Sequence, residues 1–324
     1  MRVFAGSPAR ESILRNKYYG SVLDLIGDTP LLELSRLGNT SCAKVYAKAE
    51  FLNPSGSIKD RMVHYAIESA ERRGQLGKGA TIVEASSGNT GVSVSMIAAF
   101  KGYKAVIVVP ETTSGVKTKM MDSYGAELIY TPSEEGIDAT VRRAREEAEE
   151  RGAFLLDQFR NPDNVRAHHT TGKEILRQAG HVDAFVAGIG TGGTLVGVTQ
   201  MLKQVYPETR TVAVEPATAP AYYNMYYGSS LPIGAGIPHK IEGIGETFVP
   251  QIIFDNTDVV DGVILVSDEE AFEMMGKLAV VEGLFTGISS GANVHAALEV
   301  AMSMDHDAHV VTVLPDSGQR YPGN

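Results

Sequence analysis

Short apolar, β-branched runs alternate along the chain with longer stretches whose apolar residues recur every three or four positions. The short runs predict strands at 44–49, 81–85, 104–109, 126–130, 153–156, 184–187, 210–214, 262–266 and 308–314. Helical patterns separate most of them, so the expected fold class is α/β, with mainly parallel sheet covered on both faces. From 134 to 151 charges crowd together, among them Glu134, Glu135, Arg143, Glu147 and Arg151. That run reads as a solvated helix face with i,i+4 pairs. The longest irregular stretch is 216–262. Tyr222, Tyr223, Tyr226 and Tyr227 cluster in it, either as a packed surface loop or dimer contact, or as a lid or pocket rim.

Composition narrows the function classes. At 324 residues, one very large or two moderate domains are expected, with ample core. The net charge of −10 argues against a nucleic-acid partner. Anionic substrates must then be drawn in by local features such as helix N-termini. A single cysteine, Cys42, excludes an intrachain disulfide and a Cys-rich metal site, and reads as a structural or surface thiol. No metal is expected. His168 and His169 are adjacent and point apart on a helix, while His295, His306 and His309 lack ligand spacing. His64 reads as packed or solvated. No run approaches the roughly 20 apolar residues of a membrane span. The N-terminus has no continuous apolar core of a signal peptide. A cytoplasmic location is expected.

Three segments carry candidate chemistry. Lys59 lies in Asn53-Pro54-Ser55-Gly56-Ser57-Ile58-Lys59-Asp60-Arg61, a turn-rich stretch that delivers it to the first turn of a helix. The positive helix end disfavours a second positive charge, which lowers an amine's pKa and frees its lone pair for a Schiff base. A solvated lysine at a helix start is the other reading. Ser86-Ser87-Gly88-Asn89-Thr90-Gly91 joins a predicted strand to a predicted helix. Bare N–H groups and hydroxyls there suit a carboxylate, and an ordinary N-capped turn would look similar. Gly188-Ile189-Gly190-Thr191-Gly192-Gly193-Thr194 opens another helix, and its bare backbone makes a phosphate cradle. Gly188, Gly190 and Gly193 also fit a dinucleotide spacing, with Glu215 as its acidic partner, which leaves a dehydrogenase as an outside alternative.

An amine for a Schiff base, a carboxylate cradle and a phosphate cradle together describe a pyridoxal phosphate site acting on an amino acid. The chain resembles the cysteine synthase and cystathionine β-synthase group of fold type II pyridoxal phosphate enzymes. The likeness runs from Gly27-Asp28-Thr29-Pro30-Leu31 to Pro315-Asp316-Ser317-Gly318-Gln319-Arg320-Tyr321. It implies two open, twisted, mainly parallel sheets, as in the tryptophan synthase β subunit. A smaller mobile domain, 41–159, would carry the lysine and the carboxylate loop. A larger one, 1–40 plus 160–324, would carry the phosphate loop. The resemblance implies that pyridoxal 5′-phosphate is bound by Lys59 as a Schiff base. Asn89 would meet its 3′-oxygen, Gly190, Thr191, Gly192, Gly193 and Thr194 its phosphate, and Ser289 its pyridine nitrogen. Ser86, Ser87, Gly88, Asn89, Thr90 and Gln158 would hold the substrate carboxylate, and Gly243 would line the substrate pocket. A neutral serine opposite the nitrogen stabilises a full carbanion less than a carboxylate would, which suits β-elimination.

The implied reaction is β-replacement through an aminoacrylate, giving L-cysteine from O-acetyl-L-serine, or O-phospho-L-serine, and sulfide. Cystathionine synthesis, an amine nucleophile as in diaminopropionate synthesis, or a serine or threonine dehydratase would use the same fold. A non-catalytic partner-binding relative is the alternative from another class, and the intact Lys59 argues against it. The resemblance further implies a homodimer, with serine acetyltransferase as a possible partner. Two departures stand out. Many cysteine synthases read Pro-Glu-Thr-Met-Ser-x-Glu-Arg-Arg where this chain reads Pro110-Glu111-Thr112-Thr113-Ser114-Gly115-Val116-Lys117-Thr118. The chain also ends three residues after Tyr321, where relatives usually continue, so a truncated C-terminus is expected.

Overall fold

In a computed structural model, residues 18–38, 42–132, 136–233 and 239–321 are described. The strands form two sheets. Six strands, β1 (Leu31–Glu33), β2 (Lys44–Ala49), β7 (Ala184–Gly188), β8 (Arg210–Pro216), β9 (Gly262–Val266) and β10 (His309–Leu314), run in the order β1-β2-β10-β7-β8-β9. Four strands, β3 (Thr81–Ala85), β4 (Lys104–Pro110), β5 (Glu127–Thr131) and β6 (Phe154–Leu155), run in the order β5-β4-β3-β6. All pairings are parallel except β1 with β2, where Leu31 faces Lys48.

The nine predicted strands are present, with ends shifted by a residue or two. β1 is the addition. Its three residues are too few to show a period, and the turn sequence Gly27-Asp28-Thr29-Pro30 precedes them directly. β2 lies on the smaller side of a boundary drawn at residue 41, yet it hydrogen-bonds within the six-stranded sheet, in register with β10 from Lys44 to Ala49.

Alternate residues along the strands enter different cores, as the period of two requires. On β7, Ala184 and Val186 join one cluster and Phe185 and Ala187 the other. The helices complete these layers. α1 (Lys59–Arg72), α2 (Asn89–Lys101) and α3 (Gly115–Ser123) cover one face of the smaller sheet through Met62, Val63, Ile97 and Met121. α4 (Gly136–Arg151) covers the other through Ala144 and Ala148. α5 (Asp163–Ala179) packs beside α6 (Gly193–Val205) on the larger sheet.

The charge run is largely α4. Glu147 pairs with both Arg143 and Arg151, the second at 2.7 Å, although the Glu147 side chain itself is buried. Glu134 and Glu135 lie outside the described residues. The stretch 216–262 is less irregular than expected, since it contains α7 (Ala221–Tyr227) and α8 (Gln251–Phe254). α7 is started by the buried Glu215 carboxylate, which accepts the Tyr222 and Tyr223 N–H groups at 3.0 and 2.8 Å. Glu215 is thereby committed to the fold, which removes the acidic partner of the dinucleotide reading. Tyr222 is fully buried in the core, whereas Tyr226 and Tyr227 are exposed. α9 (Asp268–Lys277) and α10 (Ile288–Met302) close the other face of the larger sheet.

Candidate active site

The turn before α1 is fixed from below. Asp60 accepts the Ser55 N–H at 2.7 Å and the hydroxyls of Ser55 and Ser93 at 2.5 and 2.6 Å. The Ile58 N–H donates to the Pro315 carbonyl at 2.8 Å, which ties the turn to the segment after β10. Two residues beyond Lys59, Arg61 is clamped by Glu50 and Glu174, each at 2.7 Å, and Lys48 meets Glu174 at 2.7 Å. Opposite charges therefore compensate one another in a buried cluster.

Lys59 itself stands between two recesses. One, of about 240 Å³, is lined by Ser86, Ser87, Gly88, Asn89, Thr90, Gln158 and Gly243, the residues expected to meet an amino-acid substrate. The other, of about 40 Å³, is lined by Gly190, Thr191, Gly192, Thr194 and Ser289, residues expected to meet the cofactor. Lys59 and Asn89 border both. The Lys59 amine is held below its ordinary pKa, as anticipated from the sequence. The largest cause is burial, and the Glu246, Asp316 and Glu84 carboxylates oppose it.

The carboxylate loop is stiffened from within. Ser86 Oγ accepts the Gly88 and Gly91 N–H groups at 3.1 and 3.0 Å. Thr90 donates to Gln158 Oε1 at 2.7 Å, and Gln158 Nε2 donates to the Ala85 carbonyl at 2.9 Å. The side chains of Ser86, Thr90 and Gln158 thus brace the loop. The N–H groups of Ser87, Asn89 and Thr90, at the start of α2, meet no acceptor among the described residues. They are open to a carboxylate.

The second loop has the same character. The N–H groups of Gly190, Thr191 and Gly192 meet no acceptor among the described residues, and no side chain caps α6. Gly192 has φ +87°, and a Cβ on Gly190 would lie 2.3 Å from the Gly243 carbonyl oxygen. Only glycine fits both positions. Asn164 Nδ2 donates to Thr191 Oγ1 at 2.9 Å, and His168 Nε2 lies 3.2 Å from Thr194 Oγ1. Burial, helped by the Arg61 and Lys59 charges, pushes the His168 pKa well below its ordinary value, so the ring is neutral. Ser289, at the start of α10, is buried. This bare cradle, a neutral hydroxyl and an amine with a lowered pKa fit pyridoxal phosphate.

Several residues at the site escaped the sequence reading. Asn89 Nδ2 donates to Asp316 at 2.6 Å, and Arg320 donates to Asn89 Oδ1 at 2.7 Å and to the Ser55 carbonyl. The C-terminal run Asp316–Tyr321 therefore braces Asn89, a role its motif did not disclose. Glu246 lines the larger recess, and burial pushes its carboxyl up to about 7, against the Lys59 charge. Lys117 and Glu242 pair at the wall of the same recess. Asn164 and His168 support the phosphate loop from α5 and carry no local sequence signal of that task.

Comparison with known proteins agrees with this geometry. Residues 22–316 match the family described as pyridoxal-phosphate dependent enzyme. A cysteine synthase of Staphylococcus aureus (strain Mu50 / ATCC 700699) is 42% identical over 311 residues, 95% of this chain and 97% of that protein. The crystal structure of an O-ureido-L-serine synthase superposes with a TM-score of 0.88 at 38% identity, covering 95% of each chain. An O-acetylserine dependent cystathionine β-synthase from Helicobacter pylori superposes with a TM-score of 0.87 at 36% identity, covering 95% of this chain and 98% of that one. The chain belongs to the pyridoxal-phosphate dependent enzymes and is of the cysteine synthase type.

Proposed function

We propose that the chain makes L-cysteine by β-replacement on O-acetyl-L-serine, with O-phospho-L-serine as the next donor and sulfide as the nucleophile. The observation that carries this reading is Lys59 between two nests of open backbone N–H groups, one suited to a carboxylate and one to a phosphate. Pyridoxal phosphate, when bound, withdraws electrons from the substrate's α-carbon so that a β-substituent can leave and a nucleophile can replace it. Lys59 would hold it covalently, Gly190–Thr194 would hold its phosphate, and Asn89 and Ser289 would meet its ring.

The protein's own residues supply the rest. The Ser87, Asn89 and Thr90 N–H groups bind the substrate carboxylate, with Gln158 bracing them. The Lys59 amine, whose pKa burial lowers, takes the α-proton and later returns it. Walls contributed by segments of both halves would limit the water around the reacting atoms. A second reading, replacement by an oxygen or nitrogen nucleophile, is favoured by Glu246, a carboxyl beside Lys59 with a pKa near 7 that can accept a proton from such a nucleophile. The likeness to an O-ureido-L-serine synthase points the same way.

A product assay separates these readings. O-acetylserine, O-phosphoserine and serine are each offered sulfide, homocysteine and an amine or hydroxyl nucleophile. Cysteine from O-acetylserine and sulfide is the expected main product, and a higher kcat/KM with any other pair would overturn the first reading. The protein is further proposed to be a cytoplasmic homodimer that can bind a serine acetyltransferase tail. In support of the location, no helix among the described residues is long and apolar enough to cross a membrane.

A further inference from the structure

One cation at the site is unused by the reaction as described. Lys117 stands in the first turn of α3, where the helix dipole disfavours a positive charge, and its side chain is 1% exposed. It pairs with Glu242, whose side chain is 47% exposed. Its ammonium lies 4.4 Å from the centre of the Tyr321 ring. A Cβ on Gly88 would lie 3.6 Å from Lys117 Nζ, so the ammonium reaches the carboxylate loop where that loop has no side chain. All four residues line the recess that contains Lys59.

The two partners are held unequally. Lys117 is enclosed by the recess wall and an aromatic face, a placement that fixes a cation with little water around it. Glu242 is half in solvent, on the segment next to Gly243, and can rehydrate if it is displaced. A ligand anion entering the recess would meet a buried cation whose present counter-ion is easily released. The substrate's α-carboxylate is already provided for by the backbone of Ser87, Asn89 and Thr90, so the anion that Lys117 suits is a second one.

We propose that Lys117 is a specificity-determining residue that recognises a second anionic group, carried by the donor's β-substituent or by the nucleophile, in exchange for Glu242. The assignment rests on the reading of this recess as the amino-acid site. It gives the departure at Gly115–Thr118 a concrete task. Glu242 acts as a competing internal anion that weakens binding of charged ligands and leaves neutral ones favoured.

The test is equilibrium binding to the holoenzyme, by calorimetry, of analogues of O-phosphoserine and O-acetylserine in which a methylene replaces the departing oxygen so that nothing can be eliminated, in wild type, Lys117→Met, Lys117→Arg and Glu242→Gln. A charge-assisted hydrogen bond to a buried cation corresponds to roughly 10- to 100-fold in affinity. Lys117→Met is expected to lower the ratio of phosphoserine-analogue to acetylserine-analogue affinity by about that factor, and Lys117→Arg to retain much of it. Glu242→Gln is expected to raise it. Steady-state comparison of thiosulfate with sulfide, on O-acetylserine, reads the same ratio for an anion carried by the nucleophile. If Lys117→Met and Glu242→Gln move both ratios in the same direction, or leave both unchanged in folded protein, the pair is a structural bridge and the proposal is wrong. Binding without turnover by any nucleophile would instead count against the β-replacement reading and leave this comparison intact.

Discussion

Glu84 sits at the penultimate position of β3, directly under the carboxylate loop, and is 2% exposed. Its Oε2 has no hydrogen-bond partner among the described residues. Burial, with the Asp157 charge adding to it, pushes its carboxyl from an ordinary 4.5 up to about 8. The folded protein therefore holds this proton more tightly than the unfolded chain does. The resulting stability is fully present below about pH 4.5 and is lost as pH rises towards about 8, where the native carboxyl also ionises. Each tenfold difference in proton affinity is about 1.4 kcal/mol, so the gap from 4.5 to about 8 corresponds to roughly 5 kcal/mol. Glu84→Gln keeps the shape and removes the titration. Urea unfolding of both proteins at several values between about pH 5 and about pH 8.5 measures the difference. The variant is expected to gain on the wild type by several kcal/mol across that range, with roughly 5 as the ceiling. Stability curves that stay parallel within about 0.5 kcal/mol would refute the reasoning, because the carboxyl would then titrate alike in both states.

Two further outcomes bear on the cofactor. Lys59→Ala should abolish covalent attachment, so that borohydride reduction and peptide mapping find no modified lysine, whereas wild type is labelled at Lys59 alone. Gly192→Val places a side chain where a Cβ already lies 2.5 Å from Ile253 Cγ1, at a φ of +87°. It should reduce cofactor retention on dialysis and also lower the melting temperature, since Ile253 belongs to the core.

Much of the fold was legible because its strands are buried on both faces and so read as continuous apolar runs. Glycines 190 and 192 were legible for a related reason, since an unbranched backbone at a helix start has few other uses. What escaped detection depends on distance in sequence. Asn164 supports Thr191 from 27 residues away, and Arg320 reaches Asn89 across 231. No local pattern encodes such contacts. α7 was missed because its start depends on Glu215, which serves as a cap from seven residues upstream and not from the position just before the helix. Burial, the largest cause of the lowered Lys59 pKa, could not be read locally, because the recesses around Lys59 include Gly190, Thr191, Pro315 and Tyr321, which only the folded chain brings near it.

The ion cluster at Arg61 has a mechanical consequence. Arg61 leaves α1, on the smaller sheet, to bind Glu50, at the end of β2 in the larger sheet, and Glu174 on α5, with Lys48 completing the set. Separating buried charges of this kind is far costlier than bending a loop. A rotation of one sheet against the other that kept this cluster intact would pivot near this point. Lys59, two residues away, lies close to the axis, where displacement is smallest. If one sheet does turn against the other, a tether at the fulcrum would let the mouth of the site change shape while the reacting amine hardly moves.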